Sequence, residues 1–137
     1  MVERTERGSP GYKPDFDIDY EVGRTAELWV SDLRAGLQNA SVEVKHDTKA
    51  MKTGNLYLEY ECLRQGKWMP SGIAASKALY WVFVVEHPHK AIVLSSEFLH
   101  KALERQLQIP AMRREEKDGS HPTRGVLLPL VWLMRPA

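Results

Sequence analysis

The sequence predicts an α/β domain in which a mixed central β-sheet is flanked by α-helices. Three observations support this class: an amphipathic helical pattern comes first, strand-like alternation follows it, and a second amphipathic helical pattern lies in the later half. With 137 residues, of which 43% are hydrophobic, the chain is long enough for one domain with its own core. We expect a flexible N-terminal arm at residues 1–14 and a single domain over residues 15–137.

The first helix is predicted in GRTAELWVSDLRAGL, which begins at Gly23. Its apolar residues recur at intervals of three and four, which places them on one helix face. These residues are Ala26, Trp29, Val30, Leu33 and Leu37. Residues 1–14 contain Gly, Pro, Ser and charged residues without periodicity, and this pattern is typical of a flexible arm.

Two strands are predicted in VEVKHD and NLYLEYEC, with the short link TKAMKTG between them. Because Gly54 in the link suits a turn, we expect the two strands to form a hairpin or a short meander. Strand alternation places charged or polar residues together on one face of each strand. They are Glu43, Lys45 and Asp47 on the first strand, and Tyr57, Glu59 and Glu61 on the second.

The later half predicts further elements. A turn at residues 70–72 and a short helical piece at about 73–78 precede LYWVFVV, whose lack of alternation predicts a central strand buried on both faces. AIVL at 91–94 is another strand candidate, and SSEFLHKALERQL is an amphipathic helix capped by Ser95 or Ser96. Residues 113–125 are predicted as a polar loop. Pro129 argues against a central strand in GVLLPLVWL and favours an edge strand or a helix end.

Charge and cysteine content narrow the function classes. The net charge is only +1, so attraction to a polyanion depends on how the charges are distributed. The single cysteine, Cys62, cannot form an internal disulfide, which favours a reducing cytoplasm. The N-terminus lacks the apolar core of a signal peptide and no apolar run reaches membrane-spanning length, so we expect neither secretion nor a membrane partner.

Four acidic residues suggest a metal site: Glu27 in the first helix, and Asp47, Glu59 and Glu61 in the two strands. Carboxylates that approach one another repel and raise each other's pKa unless a cation lies between them. Such hard oxygen ligands suit Mg²⁺ or Mn²⁺, which also bind substrate phosphates. The alternative is a solvated sheet face in which the acids are matched by Lys45.

The pattern of a helix glutamate, a strand aspartate, and a strand with an acid, one residue and a lysine or its substitute resembles the PD-(D/E)xK nuclease superfamily. The segments DxDYEVGRTAE, VEVKHDTKAMKTGNLYLEYE and SGIAASKALYWVFV carry the resemblance, which spans roughly residues 17–130. They are similar to small nuclease-like proteins of phages and bacteria. The resemblance implies a restriction-endonuclease-like core and an endonuclease that hydrolyses DNA with Mg²⁺ or Mn²⁺.

The resemblance also implies a set of metal ligands. Asp47 would be the central metal-binding aspartate and Glu59 the second acid, with the carbonyl of Tyr60 also near the metal. Glu27 would match the helix glutamate that completes or orients the site.

Glu61 departs from the family pattern, because most members have a lysine there that orients the attacking water or stabilises charge. Lys77 and Lys45 are the lysines that could take this place beside Glu61. A second register takes Pro14-Asp15 as the literal PD and Glu43 to Lys45 as the literal ExK. It fits less well, because a whole helix would separate Asp15 from Glu43.

The partner implied is DNA. Basic residues around the acids are candidates for phosphate contacts: Lys49, Lys52, Arg64 and Lys67. The later polar segment adds Arg113, Arg114, Lys117 and Arg124 as further candidates. The resemblance leaves open a preference for branched DNA, as in junction resolvases, and a homodimer that cuts two strands. It implies the cytoplasm of a bacterium, or of the host for a phage-encoded protein. The alternatives are a catalytically inactive nuclease fold that binds DNA, and a protein-interaction module.

Overall fold

The computed structural model describes residues 13–39, 41–86, 89–117 and 119–135, with side chains from residue 23 onward. The chain divides into two compact units, residues 1–39 and 40–137, and each is described by itself. Of the predicted arm, residues 1–12 lie outside the described residues, and Lys13 and Pro14 are the first two residues of a helix. The single domain over residues 15–137 stays a prediction.

The described part of the first unit forms the helix α1 at Lys13–Gln38. It confirms the helix predicted from Gly23 and begins ten residues before it. No helix in the described part of the chain is both long and apolar enough to cross a membrane.

The second unit confirms the α/β class. It contains both strands and helices, with two 3₁₀ turns at Gly72–Ala74 and Pro110–Met112. In order, the regular elements are β1 Val42–His46, α2 Ala50–Thr53, β2 Asn55–Arg64, β3 Lys67–Pro70, β4 Tyr80–Glu86, β5 Lys90–Ser95, α3 Ser96–Leu107, β6 Arg113–Glu116, β7 Thr123–Pro129 and α4 Leu130–Leu133.

The strands form two sheets, where the sequence predicts one. The first is mixed, with the order β1-β4-β5, in which β1 runs parallel to β4 and β5 is antiparallel. The second is antiparallel, with the order β3-β2-β7-β6. The predicted hairpin between β1 and β2 is therefore wrong: the link folds into α2 and leads β2 into the second sheet. Alternation identifies the faces of a strand, but it does not identify the neighbouring strand.

The core lies between the sheets and α3. Trp81, Phe83 and Val85 come from β4, and the second sheet and α3 add their own buried side chains. The latter are Leu56, Leu58, Val126, Leu128, Leu99, Ala102 and Leu103. The predicted cap of α3 is confirmed, because Ser95 Oγ accepts a hydrogen bond from the Phe98 N–H at 3.1 Å.

Two predictions for the later half are wrong. The segment 113–125, predicted as a loop, forms β6 and the start of β7. β7 is a central strand even though it contains Pro129, because this proline is its last residue and α4 begins directly after it.

LYWVFVV is a central strand as predicted, yet its burial alternates, so one face only is fully buried. The helical piece after the turn is limited to Gly72–Ala74.

Gly72 fixes the 3₁₀ turn against β2. It has φ +54°, and a Cβ there would lie 2.2 Å from the carbonyl oxygen of Glu59. We expect Gly72→Ala to lower the free energy of unfolding by about 2–4 kcal/mol, from left-handed strain and from the clash with backbone. Urea unfolding measures this change. Gly66→Ala is the matched control, since Gly66 has φ +77° with no atom within 4 Å, and it should cost about 1 kcal/mol. Equal losses in the two variants would contradict the clash.

Candidate functional site

Asp47 lies where the two sheets meet, directly after β1. Its backbone N–H donates to the carbonyl of Val84 on β4 at 2.9 Å, and its Oδ2 accepts from the Tyr57 N–H on β2 at 2.9 Å. The residue is only 7% exposed. Its carbonyl accepts from the Ala50 N–H at 3.2 Å, which starts α2. One residue therefore connects both sheets and the short helix between them.

The outward face of the second sheet forms one wall of a cleft of about 460 Å³ that also contains Asp47. We call it the main cleft. Tyr57 and Glu59 of β2 line it, together with Thr123 of β7. The Tyr57 ring lies over Gly125, where a Cβ would be 2.5 Å from the ring, and its hydroxyl is hydrogen-bonded to Thr123 Oγ1 at 2.8 Å. Tyr57 is thus a fixed part of the wall beneath the acids.

The main cleft combines both signs of charge. Its cations are Lys45, Lys49 and Arg114, and its carboxylates are Asp47, Glu59 and Glu116. The Lys45 ammonium lies 5.6 Å from the centroid of the Tyr57 ring, within the range of a cation–π contact. Lys45 and Glu59 also line a second cleft, so these two side chains contribute to the walls of both. The structure thus brings the predicted residues Asp47, Glu59 and Lys45 to one cleft.

Glu61 is turned away from this cleft by a β-bulge. Glu59 pairs with Gly125 and Glu61 pairs with Arg124, so two neighbouring residues of β7 face residues two apart on β2. Neighbours on a strand face opposite sides, and paired residues face the same side. The prediction that Glu59 and Glu61 share a face is therefore wrong. Glu61 Oε1 instead lies 3.3 Å from Nη1 of Arg124, whose guanidinium stacks over Trp68 at 3.8 Å.

The other predicted site residues lie elsewhere. The Tyr60 carbonyl accepts a hydrogen bond from the Ser71 N–H at 3.0 Å. Lys77 is exposed in the segment between the 3₁₀ turn and β4. Glu27 is exposed on α1, in the first unit. Neither Tyr60 nor Lys77 is among the residues that line the main cleft, and the role of Glu27 stays a prediction.

The four DNA-contact residues predicted around the acids do not form one cluster. Lys49 lines the main cleft and Lys52 is exposed at the end of α2. Arg64 and Lys67 pair with each other at the β2–β3 turn, at the opposite end of β2 from Asn55. A ten-residue strand spans roughly 30 Å, so this pair is remote from Lys49.

Sequence reasoning missed several residues of the cleft. His46 and Thr48 flank Asp47 in the chain, and Glu116 comes from β6, whereas Arg114 of β6 is one of the predicted phosphate contacts. β6 reads RREE, and this sequence has no apolar residues whose alternation would reveal a strand. Adjacency to Asp47 in the sequence is the signal that could have identified His46 and Thr48.

The carboxylates of the cleft suit a divalent cation whose remaining ligands come from water and from a bound substrate. In the described part of the chain, no three His, Cys, Asp or Glu side chains come close enough together to hold a metal ion. Mg²⁺ commonly binds one or two carboxylates and completes its shell with water and substrate phosphates. Asp47 and Glu59 supply two carboxylates, so this kind of binding fits the site.

No model of a known protein family matches the chain, and no curated protein or solved structure matches it either. The resemblance to the PD-(D/E)xK nucleases therefore rests on the sequence motifs alone.

The Asp47–Tyr57 hydrogen bond is expected to stabilise the fold without any ligand. Asp47→Ala leaves the Tyr57 N–H without its acceptor and should lower the free energy of unfolding by about 1–3 kcal/mol. Asp47→Asn retains an oxygen acceptor in the same place and should cost less than about 1 kcal/mol. Urea unfolding of both variants measures the difference. Equal losses of unfolding free energy in the two variants would show that removal of the hydrogen-bond acceptor does not cause the destabilisation.

Tyr57 should make the fold sensitive to alkaline pH. Burial raises its pKa to about 12 from 10.0; Glu116 and Glu59 add to this rise, while the Thr123 hydrogen bond opposes it. The unfolded phenol thus ionises first, so the stability that Tyr57 contributes is complete below about pH 10 and is lost as the pH rises towards about 12. Unfolding free energies measured at about pH 9 and about pH 11 should fall less in Tyr57→Phe than in wild type. An equal fall would contradict the raised pKa.

Proposed function

We propose that the protein is a metal-dependent deoxyribonuclease that hydrolyses internal phosphodiester bonds of DNA. The observation that carries the proposal is the convergence of Asp47, Glu59 and Lys45 on the main cleft, because two carboxylates and a lysine are the groups that the motif resemblance implies. DNA in the cytoplasm of a bacterium, or of a phage-infected host, is the substrate. A preference for branched DNA and action as a homodimer are further parts of the same hypothesis.

In this proposal Asp47 and Glu59 would hold Mg²⁺ or Mn²⁺. The hydrogen bond from the Tyr57 N–H occupies Oδ2 of Asp47, so Oδ1 is the oxygen that would bind the cation. The bond also fixes the orientation of the carboxylate before any cation binds. A bound divalent cation would lower the pKa of a water and neutralise charge on the reacting phosphate.

Lys45 is the lysine best placed for the role that Glu61 cannot fill. Lys45 lies on β1, two residues before Asp47, and lines the same cleft as both acids. Its ammonium would bind a non-bridging oxygen of the phosphate and stabilise developing charge. Lys77 lies outside the cleft, and a supporting role for Glu27 remains a prediction.

A second candidate is a nuclease-like protein that binds DNA without cutting it. The observation that favours it is the ion pair of Glu61 with Arg124, which leaves the residue at the family's lysine position tied to another strand. The cations of the cleft would then bind phosphates, with no hydrolysis.

Asp47→Asn should abolish cleavage while leaving the protein folded. We expect cutting of plasmid and branched DNA in Mg²⁺ or Mn²⁺ by wild type, and a loss of at least about 100-fold in the variant. Chelation of the metal should have the same effect. In addition, Mg²⁺ alone should raise the melting temperature of wild type but not of Asp47→Asn.

Glu86→Gln is the matched control, because it removes one exposed carboxylate that pairs with Lys90 at the β4–β5 turn. It should cut like wild type. Full activity in Asp47→Asn would rule out the proposed site. DNA binding without cleavage in either metal would select the second candidate.

A further inference from the structure

Arg114 lies at the junction of two depressions. It lines the main cleft, and it also lines a groove of about 430 Å³ with Tyr60, Arg113, Glu115 and Arg124, which we call the flanking groove. Among the residues that the structure describes, Arg114 alone lines both depressions. A ligand that extends from one depression to the other must therefore pass Arg114.

The two depressions lie on opposite faces of the second sheet. Arg114 pairs with Gly125 on the face of the main cleft, whereas Glu115 pairs with Arg124 on the reverse face. β6 is an edge strand of this sheet, so Arg114 stands where a chain could turn around the edge from one face to the other. Its position on the short strand β6 connects the face that carries the main cleft to the face that carries the flanking groove.

The Arg114 guanidinium is held in place by backbone groups. Its Nη1 donates to the carbonyls of Ala111 and Arg113, each at 2.8 Å. Among the residues that the structure describes, no carboxylate lies within ion-pair distance of Arg114. Arg124 differs, because its guanidinium is shared between Glu61 and Glu115. The backbone carbonyls thus set the position of the Arg114 guanidinium before any ligand binds.

The charge of the flanking groove fits a phosphate chain. Three arginines line it against one carboxylate, Glu115. Guanidinium groups bind phosphate through paired, charge-assisted hydrogen bonds. The acids that would select the reacting phosphate lie in the neighbouring main cleft. A polyanion that occupies both depressions is therefore expected to be a chain.

We infer that Arg114 is a phosphate anchor that leads one DNA strand from the main cleft around the β6 edge into the flanking groove. The inference rests on the proposed function for its choice of DNA. It assigns a substrate-positioning role to Arg114 outside the acid and lysine set, and it places the bound strand on a defined side of the cleft.

The test measures DNA binding without metal and without cleavage. A labelled DNA duplex is titrated with protein in the Asp47→Asn background, in chelator, over a range of salt concentrations. Arg114→Gln should weaken binding about tenfold at low salt and reduce the slope of log affinity against log salt by about 1. Arg114→Lys keeps the charge and should retain the slope while losing part of the affinity.

Lys101→Gln is the control, since it removes the same charge from an exposed residue of α3 that lines neither depression. It should change the slope less than Arg114→Gln does. Urea unfolding of Arg114→Gln and Arg114→Lys checks that both variants keep the wild-type stability.

The outcomes separate this inference from the proposed function. If wild type cuts DNA but Arg114→Gln binds with an unchanged salt slope, the anchor is overturned and the nuclease stands. If no protein cuts DNA but the slope falls in Arg114→Gln alone, the anchor is supported and the nuclease is overturned. Equal slope changes in Arg114→Gln and Lys101→Gln would also overturn the anchor.

Discussion

The two sheets of this protein are joined at Asp47, and the geometry of the main cleft depends on that connection. β3 pairs with only the last residues of β2, from Glu61 onward, so the first half of β2 has β7 on one edge and no strand on the other. Asp47 supplies the acceptor for the Tyr57 N–H on this open edge, while its own N–H is bonded to Val84 in the first sheet. A backbone donor that would otherwise lack a partner is satisfied by a side chain from the other sheet.

The same bond offers a physical reason for a carboxylate at a nearly buried position. Burial of a polar group is costly unless the group is hydrogen-bonded, and the Tyr57 N–H supplies that bond to Asp47. The bond also restricts the side chain to one orientation, with one oxygen committed to the fold. A proposed cation ligand that is already oriented loses little conformational entropy on binding. In this structure, one hydrogen bond satisfies a backbone donor of the fold and also orients the carboxylate of the proposed site.

Residue patterns indicate where strands and helices lie better than which strands are neighbours. The strands β1 and β2 and the cap of α3 could be predicted, since each depends on local spacing. The presence of Asp47 and Glu59 in one cleft follows from the motif resemblance and not from spacing. Pairing of β1 with β4 could not be predicted, because it depends on a contact across the whole unit. β6 was missed since RREE has no apolar alternation, and the bulge at Tyr60 leaves no local signal.

That bulge decides how the departure at Glu61 should be understood. A glutamate at the family's lysine position first suggests a damaged active site, because a carboxylate cannot stabilise negative charge on a phosphate. With the bulge, however, this position no longer faces the acids, and a lysine there would point to the side of Arg124. The substitution therefore removes nothing from the main cleft. Lys45 on β1 lines the same cleft as the two acids and comes from the first sheet. If the protein cuts DNA, its site is assembled across two sheets, and the hydrogen bond from Tyr57 to Asp47 connects these sheets at the site.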